Sequence, residues 1–373
     1  MKLKLDISKF GGLSRIGQGC MGIGGEFSPQ PTLASSHLEA LTVGIEAGLT
    51  LLDTAEVYAD GYSEEIVGRA IKDCRSKVFV ASKFSANHSS YSEVLRAAET
   101  TLMRLGTDYL DLYQAHWPNP SIPIAETMGA LDKLVNDGKI LHVGLSNFNG
   151  REFREASLAL DVDIFSNQVE FSLFDRFAEE DALPTCQENG SFLLAYSPLN
   201  KGRNVLNGEA KLVLENIARK YSATVQQVQL CWLAGKDGVI PIPKSTNPRR
   251  ITQNAMAMDL VLTPEDYEEI TDCCVIPRIL IPPADISVQL SGDASRMSYQ
   301  TVAEAIENKL GLSPSPLELA EFLQAGDPVK PVRVIASQMG GRHAFELVEG
   351  RLRFWAWVIA FGRGVPIPAI VNE

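Results

Sequence analysis

Residues 49–83 read LTLLDTAEVYADGYSEEIVGRAIKDCRSKVFVASK. An apolar run, Leu49–Thr54, is followed by an amphipathic helix-like segment, Ser63–Asp73, and then by a second apolar run, Val78–Lys83. Strands that are apolar throughout, separated by helix-length segments, call for a parallel sheet covered by helices. The unit recurs along the chain. Strand-type runs lie at Arg15–Gln18, Leu110–His116, His142–Ser146, Ile164–Val169, Phe192–Ser197 and Val239–Lys244, and helix-like segments at Ser92–Arg104, Ile124–Asp137, Arg151–Leu160 and Ala210–Lys220. Eight such units within about 250 residues predict an α/β fold of the closed (β/α)8 TIM-barrel type, with a doubly wound open sheet as the competing arrangement.

From Pro277 the texture changes. Pro277–Pro283 reads as a linker, Ala284–Gln289, Val332–Ala336, Phe345–Val348 and Pro366–Val371 as strands, and Tyr299–Lys309, Pro316–Ala325 and Arg351–Phe361 as helices. The barrel is already complete at that point, so a small α+β domain is expected at 277–373, after a barrel domain at 1–276.

Composition narrows the function. The chain has 373 residues, 45% of them hydrophobic, and a net charge of −12. Residues 1–274 carry 25 Lys and Arg against 36 Asp and Glu, and residues 275–373 carry 9 against 10. Neither part offers the cationic surface that duplex binding requires, so DNA is not an expected partner. The six cysteines show no C-x-x-C pair or His at ligand spacing, which predicts neither a metal site nor a disulfide framework and places the chain in a reducing cytoplasm. No apolar stretch is long enough for a membrane span. Gly17–Gly22 matches G-x-G-x-x-G, but Gly24, Gly25 and Pro29 follow where the dinucleotide fingerprint needs a helix, so it reads as the first strand and its loop.

Ionisable residues close several of the apolar strands. Asp53, Lys83 and His116 end the second, third and fourth runs, and Tyr58 lies in the loop after the second. Singly, Asp53 could be a helix cap, Tyr58 a packed loop aromatic, Lys83 a solvated cation and His116 a satisfied buried imidazole. In a barrel, however, strand C-termini form one rim, where catalytic groups gather. The four together suit acid-assisted hydride transfer to a carbonyl. Tyr58 would give the proton, and Lys83 would draw its pKa from ~10 toward neutrality, since one ammonium at ~4 Å supplies ~4 kcal/mol at an effective dielectric near 20. Asp53 would hold Lys83, and His116 would orient the substrate.

The stretches Leu52-Asp-Thr-Ala-Glu-Val-Tyr58, Gly61-Tyr-Ser-Glu64, Ala81-Ser-Lys83, Gln114-Ala-His-Trp-Pro118, Gly144-Leu-Ser-Asn-Phe148, Asn167-Gln-Val-Glu170, Ala195-Tyr-Ser-Pro-Leu199 and Ile242-Pro-Lys-Ser245 closely resemble an aldo-keto reductase over residues 1–274. The resemblance implies a barrel that binds NAD(P)H without a Rossmann unit and a tetrad of Asp53, Tyr58, Lys83 and His116. It implies that Ser146, Asn147 and Gln168 hold the nicotinamide carboxamide and that Tyr196 stacks on the ring, with Ser197 and Leu199 beside it. Lys244, Ser245, Arg250, Gln253 and Asn254 match the family's segment for the adenosine end, where a Lys and an Arg favour NADPH/NADP, with NAD left open. The expected substrate is a small carbonyl compound or alcohol, with Trp117 as an apolar wall. Two other readings stay open: a redox-neutral epimerase that retains NADP, and an NADPH-binding redox sensor. The loop Leu199–Ala210 is short for the family, which predicts weaker cofactor retention.

Phe345–Ala356, Pro366–Val371 and Leu317–Val334 resemble the ParB/sulfiredoxin-like fold over about residues 280–373. That resemblance implies a nucleotide or phosphate at Gly350, Arg351 and Arg353. Against it stands a purely supporting domain with surface arginines.

Overall fold

Eight strands run β1 (Gln18–Gly19), β2 (Leu51–Asp53), β3 (Phe79–Phe84), β4 (Leu110–Ala115), β5 (Ile140–Ser146), β6 (Ile164–Glu170), β7 (Phe192–Tyr196) and β8 (Val239–Pro241). Each pairs in parallel with the next. The Gly17 and Gly19 amides donate to the Pro241 and Pro243 carbonyls at 2.9 and 3.1 Å, so the last strand returns to the first and the sheet closes. This computed structural model describes residues 6–200, 208–288, 299–312, 314–337 and 343–372. The chain divides into two compact units, Met1–Val275 and Ile276–Glu373.

In the first unit the helices alternate with the strands. They are α1 (Ala34–Glu46), α2 (Tyr62–Ile71), α3 (Tyr91–Leu105), α4 (Ile124–Asn136), α5 (Gly150–Leu158), α6 (Ala182–Glu188), α7 (Gly208–Lys220) and α8 (Val225–Ala234), with α9 (Pro248–Met256) and α10 (Pro264–Cys273) after β8. The strand starts are plugged by aromatic rings. Phe10, Phe79, His142, Phe165 and Phe192 stack or meet edge to face, with Phe10 to Phe165 centroids 5.0 Å apart. Leu51, Ala81, Leu112, Leu194, Ile240 and Ile242 complete the same apolar cluster. Asp53, Lys83 and His116 stand at the strand C-termini above this mainly apolar cluster, where charges are weakly screened.

The first strand is shorter than the run Arg15–Gln18 suggests. The chain enters it at Gln18 because the Ser14 side chain bonds the backbone of Ile16, Thr50 and Leu51 and turns the approach. The glycine-rich segment after β1 leads to α1 only at Ala34. Among the described residues no helix is long and apolar enough to cross a membrane.

The second unit holds β9 (Ile279–Ile281), β10 (Ile286–Ser287), β11 (Val332–Ala336), β12 (Phe345–Glu349) and β13 (Ile367–Asn372), in sheet order β10-β12-β11-β13-β9. Its helices are α11 (Val302–Ile306), α12 (Pro316–Gln324) and α13 (Arg351–Phe361). Phe354, Trp355 and Val358 of α13 pack on Val332, Val334, Leu347, Ile367 and Ala369 of the sheet. Three expectations need correction. The stretch read as a linker contributes β9, an edge strand antiparallel to β13. The helix read from Tyr299 starts at Val302, because Tyr299 is drawn into the core and its carbonyl accepts the Trp355 indole N–H at 2.9 Å. The strand read at 284–289 is likewise shortened to Ile286–Ser287, because Pro283–Asp285 form a 3-10 turn, and Gln289 lies outside the described residues.

Candidate active site

Asp53 ends β2 and Lys83 is the penultimate residue of β3, and both are buried. The Lys83 ammonium donates to Asp53 Oδ2 at 2.8 Å, to the Thr54 carbonyl at 2.9 Å and to the Tyr58 hydroxyl at 3.5 Å. Each of its three protons therefore has an acceptor. Burial alone would push the Lys83 pKa down, but the Asp53 charge and the bonds to Asp53 and Tyr58 together hold it above its ordinary value. Because Lys83 donates to the phenol oxygen, the Tyr58 proton is left to point elsewhere.

Tyr58 is aimed by its loop. Ala59, Asp60 and Gly61 follow with φ of 49, 53 and 84°. Three successive left-handed residues, two of them not glycine, are a strained way to leave a strand, of the kind that collects at functional sites. His116 lies one residue beyond β4, its ring edge-to-face with Tyr58 at 5.8 Å between centroids. Its amide donates to Phe84 O at 3.1 Å and its carbonyl accepts from Asn147 Nδ2 at 3.0 Å. Burial, with the nearby Lys83 charge, lowers the His116 pKa to about 3, so the imidazole is neutral. Tyr58 departs from expectation. Burial raises its pKa more than Lys83 lowers it, so the phenol stays protonated through the neutral range.

A second group of residues adjoins these four. The Ser146 hydroxyl donates to Gln168 O at 3.0 Å, and Asn147, in the left-handed conformation at φ 64°, bonds Ser146 Oγ at 3.1 Å and accepts from the Tyr196 hydroxyl at 3.0 Å. Gln168 is more than a neighbour. Its Nε2 donates to Asp53 Oδ1 at 2.7 Å, a direct link from the expected carboxamide site to the tetrad. Gln114, which the sequence reading left without a role, also reaches that oxygen, at 3.4 Å. Its only signal was a polar amide two residues before His116, near the end of β4. Ser197 follows β7 with φ 51°, and Leu199 packs beside a cluster that includes Ile16, Leu49 and Ile251. Of the loop 199–210, residues 201–207 lie outside the described residues.

Lys244 lies against the turn at Gly22, where a Cβ would come 3.3 Å from its ammonium nitrogen. Ser245 Oγ accepts the Asn247 amide at 3.1 Å, and Asn247 caps α9. Arg250, Gln253 and Asn254 occupy one face of that helix by their spacing. Lys244 and Arg250 are exposed and form no ion pair among the described residues. Exposed cations just before α9 and in its first turn fit a phosphate, and the Ser146, Asn147 and Gln168 group fits a carboxamide. Trp117, half exposed, stands beside His116 on a loop held by the Asn119 amide, which donates to Ala86 O at 2.8 Å.

In the second unit, Gly350 caps α13 at φ 93° and Arg351 opens it, lining a cavity of about 290 Å³ with Tyr299, Leu312 and Glu349. Arg353 lies against the Gly350 turn, where a Cβ would stand 2.9 Å from its guanidinium, and donates to the Lys330 and Pro331 carbonyls at 3.0 and 3.3 Å.

The profile of the aldo/keto reductase family matches residues 15–274. The chain belongs to the aldo/keto reductase family. As a member it is an NAD(P)H-dependent oxidoreductase, and the matched residues stop where its second unit begins. This reductase is 38% identical over 253 residues to methylglyoxal reductase YeaE of Escherichia coli, covering 67% of its own chain and 87% of that relative. The crystal structure of a thermostable aldo-keto reductase in complex with the inhibitor epalrestat is 38% identical, with a TM-score of 0.69, covering 73% of this chain and 99% of the other. An aldo/keto reductase from Klebsiella pneumoniae in complex with NADP and acetate is 35% identical, with a TM-score of 0.66, covering 73% and 95%.

Proposed function

We propose that this aldo/keto reductase interconverts a small carbonyl compound and its alcohol with NADPH as cofactor, Tyr58 being the general acid and base. The observation that carries the reading is the buried chain from Asp53 through Lys83 to the Tyr58 hydroxyl. A carbonyl oxygen placed between Tyr58 and His116 receives a hydrogen bond from each. NADPH, when bound, supplies the hydride. As charge grows on the carbonyl oxygen, Tyr58 passes its proton there, and the Lys83 ammonium stabilises the phenolate left behind. Asp53 keeps Lys83 charged and aimed. The neutral His116 imidazole orients the substrate without competing for the proton.

Ser146, Asn147 and Gln168 would hold the carboxamide, and Tyr196, Ser197 and Leu199 would flank the ring. Lys244, Ser245, Arg250, Gln253 and Asn254 would take the adenosine end, Lys244 and Arg250 neutralising a 2′-phosphate. Trp117 would wall the substrate. Likeness to a methylglyoxal reductase makes 2-oxoaldehydes the first substrates to try. Six free thiols suit a reducing compartment.

The test is the loss of reduced-cofactor absorbance with purified protein, NADPH and a panel of aldehydes, ketones and keto sugars, beside a Tyr58→Phe variant. Turnover lost in the variant supports the reading. NADPH binding with no turnover moves the weight to the sensor, and substrate conversion with no net NADPH consumption moves it to the epimerase.

For the second unit we propose a ParB/sulfiredoxin-like domain whose turn at Gly350 and Arg351 binds a nucleotide phosphate, with Arg353 bracing the turn. The Arg351 Nε, buried without a hydrogen-bond partner beside the cavity, favours it. Calorimetry of the full chain with ATP and CTP tests this, and no heat with either nucleotide refutes it.

A further inference from the structure

The carboxylate of Asp53 is held at both oxygens. Oδ2 faces the Lys83 ammonium, while Oδ1 accepts from the side-chain amides of Gln168 at 2.7 Å and Gln114 at 3.4 Å. The two glutamines come from β6 and β4, on either side of β5. At the junction of β5 and β6 the register shifts between Val143 and Gly144: Val143 pairs with Ile164 but Gly144 with Ser166. The extra residue sets the phase of β6 so that Gln168 reaches Asp53.

Gln114 is fully buried, and its Oε1 has no hydrogen-bond partner. An apolar side chain of similar length would fill this place without the penalty of an unsatisfied oxygen. Among the described residues the one hydrogen bond of the Gln114 side chain is to Asp53. Its seat is also reserved by a neighbour. A Cβ on Gly144 would lie 2.7 Å from Gln114 Cγ and 2.9 Å from Leu112 Cδ1, so only glycine leaves room for Gln114 to reach inward.

We propose that Gln114 is a positioning residue for the hydride-transfer chemistry: with Gln168 it clamps Asp53 Oδ1, so that only Oδ2 meets Lys83. This rests on the reading of Tyr58 as the acid. A clamped carboxylate shares its charge between two amides and one ammonium. Released, it turns both oxygens on Lys83 and neutralises the ammonium more completely, which leaves less positive charge to stabilise a Tyr58 phenolate. The groups that bear on Tyr58 are Lys83, Asp53, the Cys20 thiol and the neutral His116; Gln114 is the ladder partner of Lys83, and of these groups its side chain hydrogen-bonds Asp53.

The test is a Gln114→Met variant. Expected are a kcat lowered about tenfold, the scale of one misplaced hydrogen bond, with KM and the NADPH Kd within about twofold. The alkaline limb of the kcat profile should move to higher pH. A titration of tyrosinate absorbance, taken as the difference between each protein and its Tyr58→Phe counterpart, reads the same shift without turnover. Gly144→Ala, which keeps the amide but drives it from Asp53, should shift Tyr58 in the same direction and serves if Gln114→Met does not fold. An unmoved titration and unchanged kcat in the folded variant overturn the role of Gln114, and with Tyr58→Phe inactive they leave the reductase reading intact. Full turnover by Tyr58→Phe sinks that reading instead, while the titration still decides whether Gln114 governs Tyr58.

Discussion

The Lys83 ammonium donates to the Tyr58 hydroxyl at 3.5 Å while its stronger bond, at 2.8 Å, goes to Asp53. Removing the cation exposes two dependencies at once. In Lys83→Met the Asp53 carboxylate is left buried without its ion pair, a loss of about 3–5 kcal/mol by the usual cost of breaking a buried pair. Tyr58 also loses the charge that favours its phenolate. We expect a lower midpoint of thermal unfolding and a kcat down roughly 10²–10⁴-fold, the range for an impaired proton donor. Calorimetry and steady-state kinetics on one preparation check both.

Carbonyl reduction needs the phenol protonated, and burial keeps the Tyr58 pKa above its ordinary value. The reductive kcat should therefore be flat through neutrality and fall only on the strongly alkaline side. Alcohol oxidation, which needs the proton removed, should rise over that alkaline range. A reductive limb near pH 7, absent in Tyr58→Phe controls of cofactor stability, would contradict the assignment.

With its pKa lowered to about 3, His116 is neutral well below the range in which histidines usually titrate. We expect no step in kcat/KM between pH 5 and 8 that His116→Gln removes. The same depression affects stability. The unfolded chain binds a proton at this position below about 6.5, whereas the folded chain binds it only near 3, so His116 costs stability progressively as pH falls between those values. Denaturant unfolding of His116→Gln should accordingly be less sensitive to acid.

Lys244, just before α9, and Arg250, in its first turn, are exposed cations with no ion pair among the described residues. Replacing either with Ala should weaken NADPH by about tenfold, the worth of one charge-assisted contact, and leave NADH nearly unchanged. Fluorescence titration with both cofactors separates the two. Equal losses for NADPH and NADH would remove the 2′-phosphate from these residues.

Glu64 is fully buried at the start of α2, accepting from Ser82 Oγ at 2.6 Å and paired with Arg104 at 3.2 Å. Gly61 lies directly over that guanidinium: a Cβ there would stand 2.2 Å from Arg104 Cζ, and its φ of 84° disfavours any side chain. Arg104→Met and Gly61→Ala should both destabilise by several kcal/mol, the first by stranding a buried carboxyl, the second by displacing its partner. Denaturation midpoints measure this, and kcat per folded molecule should fall more for Gly61→Ala, which disturbs the Tyr58 turn.

The barrel was legible because its strands are mainly apolar and end in residues that carry chemistry: Leu51 and Leu52 come before Asp53, Val80 and Ala81 before Ser82 and Lys83, Leu112 and Tyr113 before Gln114 and His116. Distant residues could be placed on one rim from that pattern alone. What it hid were contacts across the barrel. Nothing in the run Leu110–His116 says that Gln114 faces Asp53, since that depends on the space left at Gly144 and on the register shift beside it. Composition likewise concealed β9, whose three residues sit among Pro277, Pro282 and Pro283 and leave Ile279 and Leu280 exposed, as an edge strand permits. The pKa of Tyr58 went the other way from expectation because charge proximity can be guessed from residue types, whereas the extent of burial cannot.

The closing seam of the barrel is unlike its other seven. Pro241 and Pro243 accept from Gly17 and Gly19 but have no N–H to return, so these contacts run in one direction only. Half of the usual reciprocity is missing where the first strand, two residues long, meets the last. Slow opening of the cylinder should therefore begin here, and the Gly17 and Gly19 amides should exchange with deuterated solvent ahead of those in β3 to β6. The first seam to breathe would be the one that carries the Gly22 turn and Lys244, giving the adenosine end of a bound dinucleotide an exit that leaves Asp53 and Lys83 undisturbed.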